Sequence, residues 1–169
     1  DLEDKRRNLF SFLHLTIQQF LAAQHVVDDI EKVESFLIDH IDNPKWHLVI
    51  QFVAGLIGDK IRMLEKERNE SKRPSTEITN DERITKDICK RFQDWMPGNK
   101  EINCNHKKLL IIKCVHEMQE AGVREVMASF TCDKFRLKNL LIAPAESAAL
   151  FNFFGHIKNL QILDIYSCT

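Results

Sequence analysis

The chain has 169 residues, 44% of them hydrophobic and 29% charged, a composition that suits a packed globular segment and excludes an intrinsically disordered one. With 24 basic against 25 acidic residues the net charge is −1, which gives no electrostatic reason to expect nucleic acid or an anionic membrane as a partner. No uninterrupted apolar run is long enough to span a bilayer, and the first residues do not read as a signal peptide. The five cysteines, Cys89, Cys104, Cys114, Cys132 and Cys168, are odd in number and lack framework spacing. They read as free thiols, so a cytoplasmic location is expected.

The residues Leu9 to Leu13 alternate weakly after the charged stretch Glu3 to Asn8 and predict a short strand. Thr16-Ile17-Gln18-Gln19 has the form of a capping box, in which the Thr16 hydroxyl meets a free helix amide and Gln19 reaches back. The helix behind it is expected to bury Ile17, Phe20, Leu21 and Val27, with Ala22 and Ala23 permitting close packing. A second, shorter helix carries Ile30, Val33, Phe36, Leu37 and Ile41 at three- and four-residue spacing. Asn43-Pro44 predicts the start of a third: Asn accepts at the cap, and Pro fits a position where no amide bond is needed. Its stripe is Trp46, Val49, Ile50, Val53 and Leu56, widened by Phe52 and Ile57, and Gly58 is its expected stop. A helix apolar over so wide an arc belongs at the centre of a bundle.

Between Lys60 and Asn80 basic and acidic residues interleave and Pro74-Ser75-Thr76 follows, which reads as a helix fraying into an exposed loop at about 64–80. Thr79 to Glu82 offers a second capping box, leading into Ile84, Ile88, Phe92 and Trp95 and ended by Pro97-Gly98. The longest apolar helix is expected next, with Leu110, Ile111, Cys114, Val115 and Met118 inward, before Gly122 breaks it. A short helix over Val123 to Ala128 follows.

At Cys132 the period changes. Cys132-x-x-Phe135-x-Leu137-x-x-Leu140 and Leu160-x-x-Leu163-x-Ile165-x-x-Cys168 share one apolar template, offset by 28 residues. The second copy fits the strand segment of a leucine-rich repeat, and Pro144 to Phe154 reads as the helix such a repeat carries. The boundary is expected near Ser129 to Asp133.

Little here points to catalysis. None of the five glycines sits in a phosphate-cradling loop. Cys104-x-His106 and Cys114-x-His116 invite a zinc reading, but residues two apart in a helix point about 200° apart and cannot grip one ion. A buried Cys114 beside an exposed His116 is the preferred reading, and no motif supports a Cys/His nucleophile pair. Asp28, Asp29 and Glu31 read as capping or solvated carboxylates at a helix start. No metal site and no catalytic residue are expected. His14 is the exception of interest: it stands at the strand-to-helix junction, where an imidazole can donate to a phosphate oxygen.

The stretch Phe12-Leu13-His14-Leu15-Thr16-Ile17-Gln18-Gln19-Phe20-Leu21-Ala22-Ala23 resembles the "FLHLTFQEFLAA" signature of NOD-like receptors, the NACHT-domain proteins that carry leucine-rich repeats. Phe52-Val53-Ala54-Gly55-Leu56 resembles that family's "F-x-x-G-L" helix, and Phe92 to Pro97 and Leu109 to Gln119 resemble its later helices, in order. The resemblance covers nearly the whole chain. It implies a mainly α fold: the end of a winged-helix domain over 1–27, a second helical domain over 28–130, and the first leucine-rich repeats, α/β in character, over 131–169. It further implies that His14 contacts the β-phosphate of ADP held by a NACHT domain outside this chain, so that no cofactor is expected within the fragment itself. The usual Gln-Glu of the signature is Gln18-Gln19 here, which keeps the capping geometry and loses a negative charge.

The implied function is a regulatory scaffold in an innate-immune sensor, non-enzymatic in this segment. It would couple an ADP/ATP-controlled NACHT module to the repeats and form homo-oligomers on activation. The alternative is a free-standing helical adaptor that takes a partner helix or peptide at the Lys60–Asn80 excursion or in an apolar groove. The absence of an initial Met and the close inside a repeat-like pattern lead us to expect a piece of a longer protein.

Overall fold

Among the described residues the amphipathic stretches become six α-helices, the last of them set between the two strands of a small parallel sheet. The computed structural model describes residues 14–71, 80–94, 105–119, 134–138, 141–156 and 160–166. In chain order the elements are α1 (Leu15–Asp28), α2 (Ile30–His40), a 3-10 turn (Pro44–Trp46), α3 (His47–Ser71), α4 (Asn80–Asp94), α5 (Asn105–Met118), β1 (Lys134–Lys138), α6 (Pro144–Phe154) and β2 (Ile162–Tyr166). The strand expected at Leu9 to Leu13, Thr79, Trp95, Pro97-Gly98, Gly122 and the short helix from Val123 lie outside the described residues.

The stripe Val49, Ile50, Val53, Ala54 and Ile57 of α3 is fully buried, and α1 packs on one side of it and α5 on the other. This is the central helix that its wide apolar arc predicted. Asn43-Pro44 opens the 3-10 turn that leads into it rather than α3 itself: Asn43 is extended at φ −103° and its side chain accepts from the Lys45 amide at 3.2 Å, and α3 starts at His47. In α2, Ile30, Val33 and Leu37 are buried, and Phe36 packs beside them. The α4 residues Ile88 and Phe92 are buried too, and the guanidinium of Arg91 ties α4 to Glu34 of α2, its Nε at 3.0 Å. Within α5, Leu110, Ile111, Cys114, Val115 and Met118 all point inward.

Three further expectations about these helices are corrected. Gly58 does not stop α3, which continues to Ser71, so residues 64–71 are helical rather than loop. The glycine serves close approach instead: a Cβ built there would lie 2.2 Å from the Met118 carbonyl oxygen. As a result α3, at 25 residues, exceeds α5, at 14, and is the longest described helix. Nor does Thr16 cap α1. The helix starts at Leu15 with His14 in the cap position, so Thr16 lies inside the first turn, too late to meet a free amide.

The last elements follow the repeat-like template closely. β1 and β2 pair in parallel, with Phe135 opposite Leu163 and Leu137 opposite Ile165, which is the 28-residue offset of the sequence. The connection between them carries α6 at Pro144–Phe154, as parallel pairing requires a crossover. Phe135 stacks its edge on Phe154 at 5.3 Å and lies 6.3 Å from Phe153. One continuous apolar core runs from Ala23 through α3 and α5 to Leu137 and Phe153.

Candidate functional site

His14 caps α1 with its backbone. Its φ of −139° and ψ of 122° are extended, and its carbonyl accepts from the Ile17 amide at 3.1 Å and the Gln18 amide at 3.4 Å. The side chain makes no capping bond and is exposed. It is therefore presented outward from the first turn, with no packing role in the described fold.

The helix behind it is turned differently from expectation. Ala23 is completely buried and Ala22, Val26 and Val27 pack beside it, whereas Ile17 is 54% exposed and Leu21 43%. Small side chains let the α1 backbone settle against α3, and the larger residues fall on the opposite side. Phe20 lies at the rim, with its ring 5.5 Å from Phe52 and perpendicular to it. Ile17, Phe20 and Leu21 thus form an apolar surface on one side of α1 close behind His14, and Leu15 is exposed on a different side. Size had pointed the wrong way: the bulkier residues were expected inside.

A second uncovered apolar surface lies at the other end of the fold. Phe135 and Leu137 of β1 are 2% and 0% exposed, while their register partners Leu163 and Ile165 of β2 are both 42% exposed. The difference has a simple cause. Phe153 and Phe154 of α6 set their rings against Phe135 of β1, α6 itself rests on α5, and no described element other than β1 is in extensive contact with β2. On the other face of the sheet Arg136 bonds Asp164 across the register at 2.9 Å.

Between these ends, α5 and α6 are joined by Glu146. One carboxylate oxygen accepts from Lys113 of α5 at 2.8 Å and the other from the Ala143 amide at 2.9 Å, closing the α6 N-terminus. Burial raises the Glu146 carboxyl, but Lys113 and the Ala143 amide outweigh it and hold the group below its usual range. The helix from Pro144 to Phe154 was legible, and the role of Glu146 and its partner on α5 were not.

The remaining candidates supply little chemistry. Cys114 is fully buried and burial pushes its thiol strongly upward, so it stays protonated. His116 is half-buried rather than exposed, and its Nδ1 has no hydrogen-bond partner. Cys104 lies outside the described residues. Asp29 precedes α2 and pairs with Lys32 without capping the helix through its side chain. Among the described residues no three His, Cys, Asp or Glu side chains are grouped to hold a metal ion. Nor is any described helix long and apolar enough to cross a membrane. Comparison of the chain with protein-family models, with curated proteins and with solved structures finds no match.

Proposed function

We propose that the chain is the connecting and regulatory segment of a cytosolic NOD-like receptor, joining an ADP/ATP-controlled NACHT module to a leucine-rich-repeat array. The observation that carries this reading is that the fold leaves an apolar surface uncovered at each of its two ends, on α1 and on β2. A connector needs such surfaces at both ends; a free-standing adaptor needs one. The α1 surface, with His14 beside it, would pack against the preceding module and bring the imidazole to the ADP phosphate. The β2 surface would receive the next helix and strand of the array, at the spacing that relates β2 to β1.

In this reading the packed segment masks an oligomerising surface at rest, and nucleotide exchange releases it. Moving a two-state equilibrium from 1:99 to 99:1 takes about 5.5 kcal/mol, of which a single charged hydrogen bond from His14 would supply a part. The test is His14→Ala in the full-length receptor. Faster loss of bound ADP and raised basal signalling are expected, with the folding of this segment unchanged. Unaltered nucleotide retention and signalling would remove His14 from the mechanism. Tight binding of an isolated helix by this chain alone would favour the adaptor.

A further inference from the structure

Helices α3 and α5 begin side by side. Asp42, just ahead of α3, bonds Lys107 of α5 at 2.9 Å, and at the far end Gly55 and Gly58 meet Glu117 and Met118. The two helices therefore run in the same direction, and their positive N-terminal ends coincide. Two imidazoles stand at that end: His47 opens α3 and His106 is the second residue of α5.

His47 is half-buried. The groups that face it are Asp42 and the Ile41 backbone from the α2–α3 connection, and Lys113 and His106 from α5. Among the described residues two carboxylates of this neighbourhood are already engaged, Asp42 with Lys107 and Glu146 of α6 with Lys113. A proton on His47 would thus place a further cation beside Lys113, at two helix N-termini, with those acids committed elsewhere.

We propose that His47 makes the α3–α5 seam acid-sensitive: the neutral imidazole allows the two helix starts to pack, and its protonation loosens them. Burial first, then Lys113 and His106, hold the ring below the ordinary histidine range, and the Ile41 backbone and Asp42 oppose this without reversing it. The sign follows. The packing is at full strength above the unfolded value of about 6.5 and weakens as pH falls through it toward the lower value of the folded ring. Because α6 rests on α5, a loosened seam also frees the strand–helix unit to reorient against the bundle. The device does not depend on the receptor reading; it belongs to the helices themselves.

Hydrogen exchange on the whole chain at pH 7.5 and pH 5.5, corrected for the intrinsic rate, tests it. The first turns of α3 and α5 are expected to lose amide protection on acidification, and His47→Gln to remove that loss. Unchanged protection in the wild-type chain, or an equal loss in the variant, would overturn the proposal. If His47→Gln does not fold, an imidazole titration by NMR in the unaltered chain decides it. The His47 ring and the seam amides must then change over one pH range, and a seam that opens while the ring keeps its protonation state is incompatible with the proposal.

Discussion

The Cα of Gly58 lies directly beneath the carbonyl of Met118, so close that a methyl group at residue 58 would sit 2.2 Å from the oxygen and 2.8 Å from the carbonyl carbon. Both partners are backbone, one in α3 and one at the last residue of α5, and neither can swing aside as a side chain would. Gly58→Ala must therefore push the helices apart. Overpacking of this kind costs about 1–3 kcal/mol, more than the roughly 0.5–1 kcal/mol that alanine gains over glycine in a helix. Gly55 is the internal control, since its added Cβ would be 3.8 Å from the Glu117 oxygen, an ordinary contact. Urea denaturation should find Gly58→Ala destabilised and Gly55→Ala stabilised; a stabilised Gly58→Ala would contradict the close approach.

The same junction is capped from the side by Arg62, whose Nη1 donates to the Met118 carbonyl at 2.9 Å while Asp59 holds the guanidinium. This supplies one of the donor partners that the carbonyls of a helix C-terminus lack. Arg62 is partly exposed, so solvent competes for both groups. Arg62→Met, which keeps the stem, should cost about 1 kcal/mol and speed exchange in the last turn of α5. Equal exchange there in both proteins would show that the cap is idle.

Glu146 predicts an acid-side loss of stability. A carboxyl held below its unfolded value contributes stability above that value, about 4.3, and loses it as pH falls through the folded value. The Lys113–Glu146–Ala143 contacts should therefore weaken below about pH 4.3, freeing the N-terminus of α6 from α5. In Glu146→Gln that part of the pH dependence should be missing, as read from melting temperatures between pH 3 and pH 7 (roughly the carboxylate titration range). Identical pH profiles for the two proteins would contradict the assignment.

Leu137 and Ile165 are paired in register and equivalent in the template, yet truncating them should not cost the same. Leu137→Ala removes a fully buried side chain and should cost about 2–5 kcal/mol. Ile165→Ala removes one that already meets water over much of its surface, and should cost under about half as much. If the chain is extended by a further strand–helix unit, the gap between the two should close. Equal costs in the chain as it stands would mean that β2 is already covered.

These contrasts mark what the sequence could and could not disclose. The bounds of α6 and the register of the sheet were legible because both are local: a proline start, an apolar run, a repeated spacing. Gly58 was not. A glycine late in an apolar stripe signals either a stop or a close neighbour, and only the position of Met118, 60 residues on, decides between them. Thr16 failed for a smaller reason, since a helix that starts at Leu15 is capped at His14 and leaves the same four residues two positions too late to cap it. For α1 the close packing at Ala22 and Ala23 and the inward place of Val27 were correct, but Ile17 and Leu21 face outward. Two apolar faces were present, and the alanine side won by letting the backbones approach. His14 stands at the start of α1, as the residues after it led us to expect, while the strand expected before it lies outside the described residues.

The core that runs unbroken from Ala23 to Phe153 bears on how the chain can be divided. A cut between α5 and β1 would not release two finished pieces. The helical portion would keep Ile112 and Val115 without the Ala149 and Phe153 side of α6 that now lies against them. The strand–helix portion would in turn bring Phe153 into water. Each half should be recovered from inclusion bodies rather than from the soluble fraction, and the two should be rescued by being expressed together.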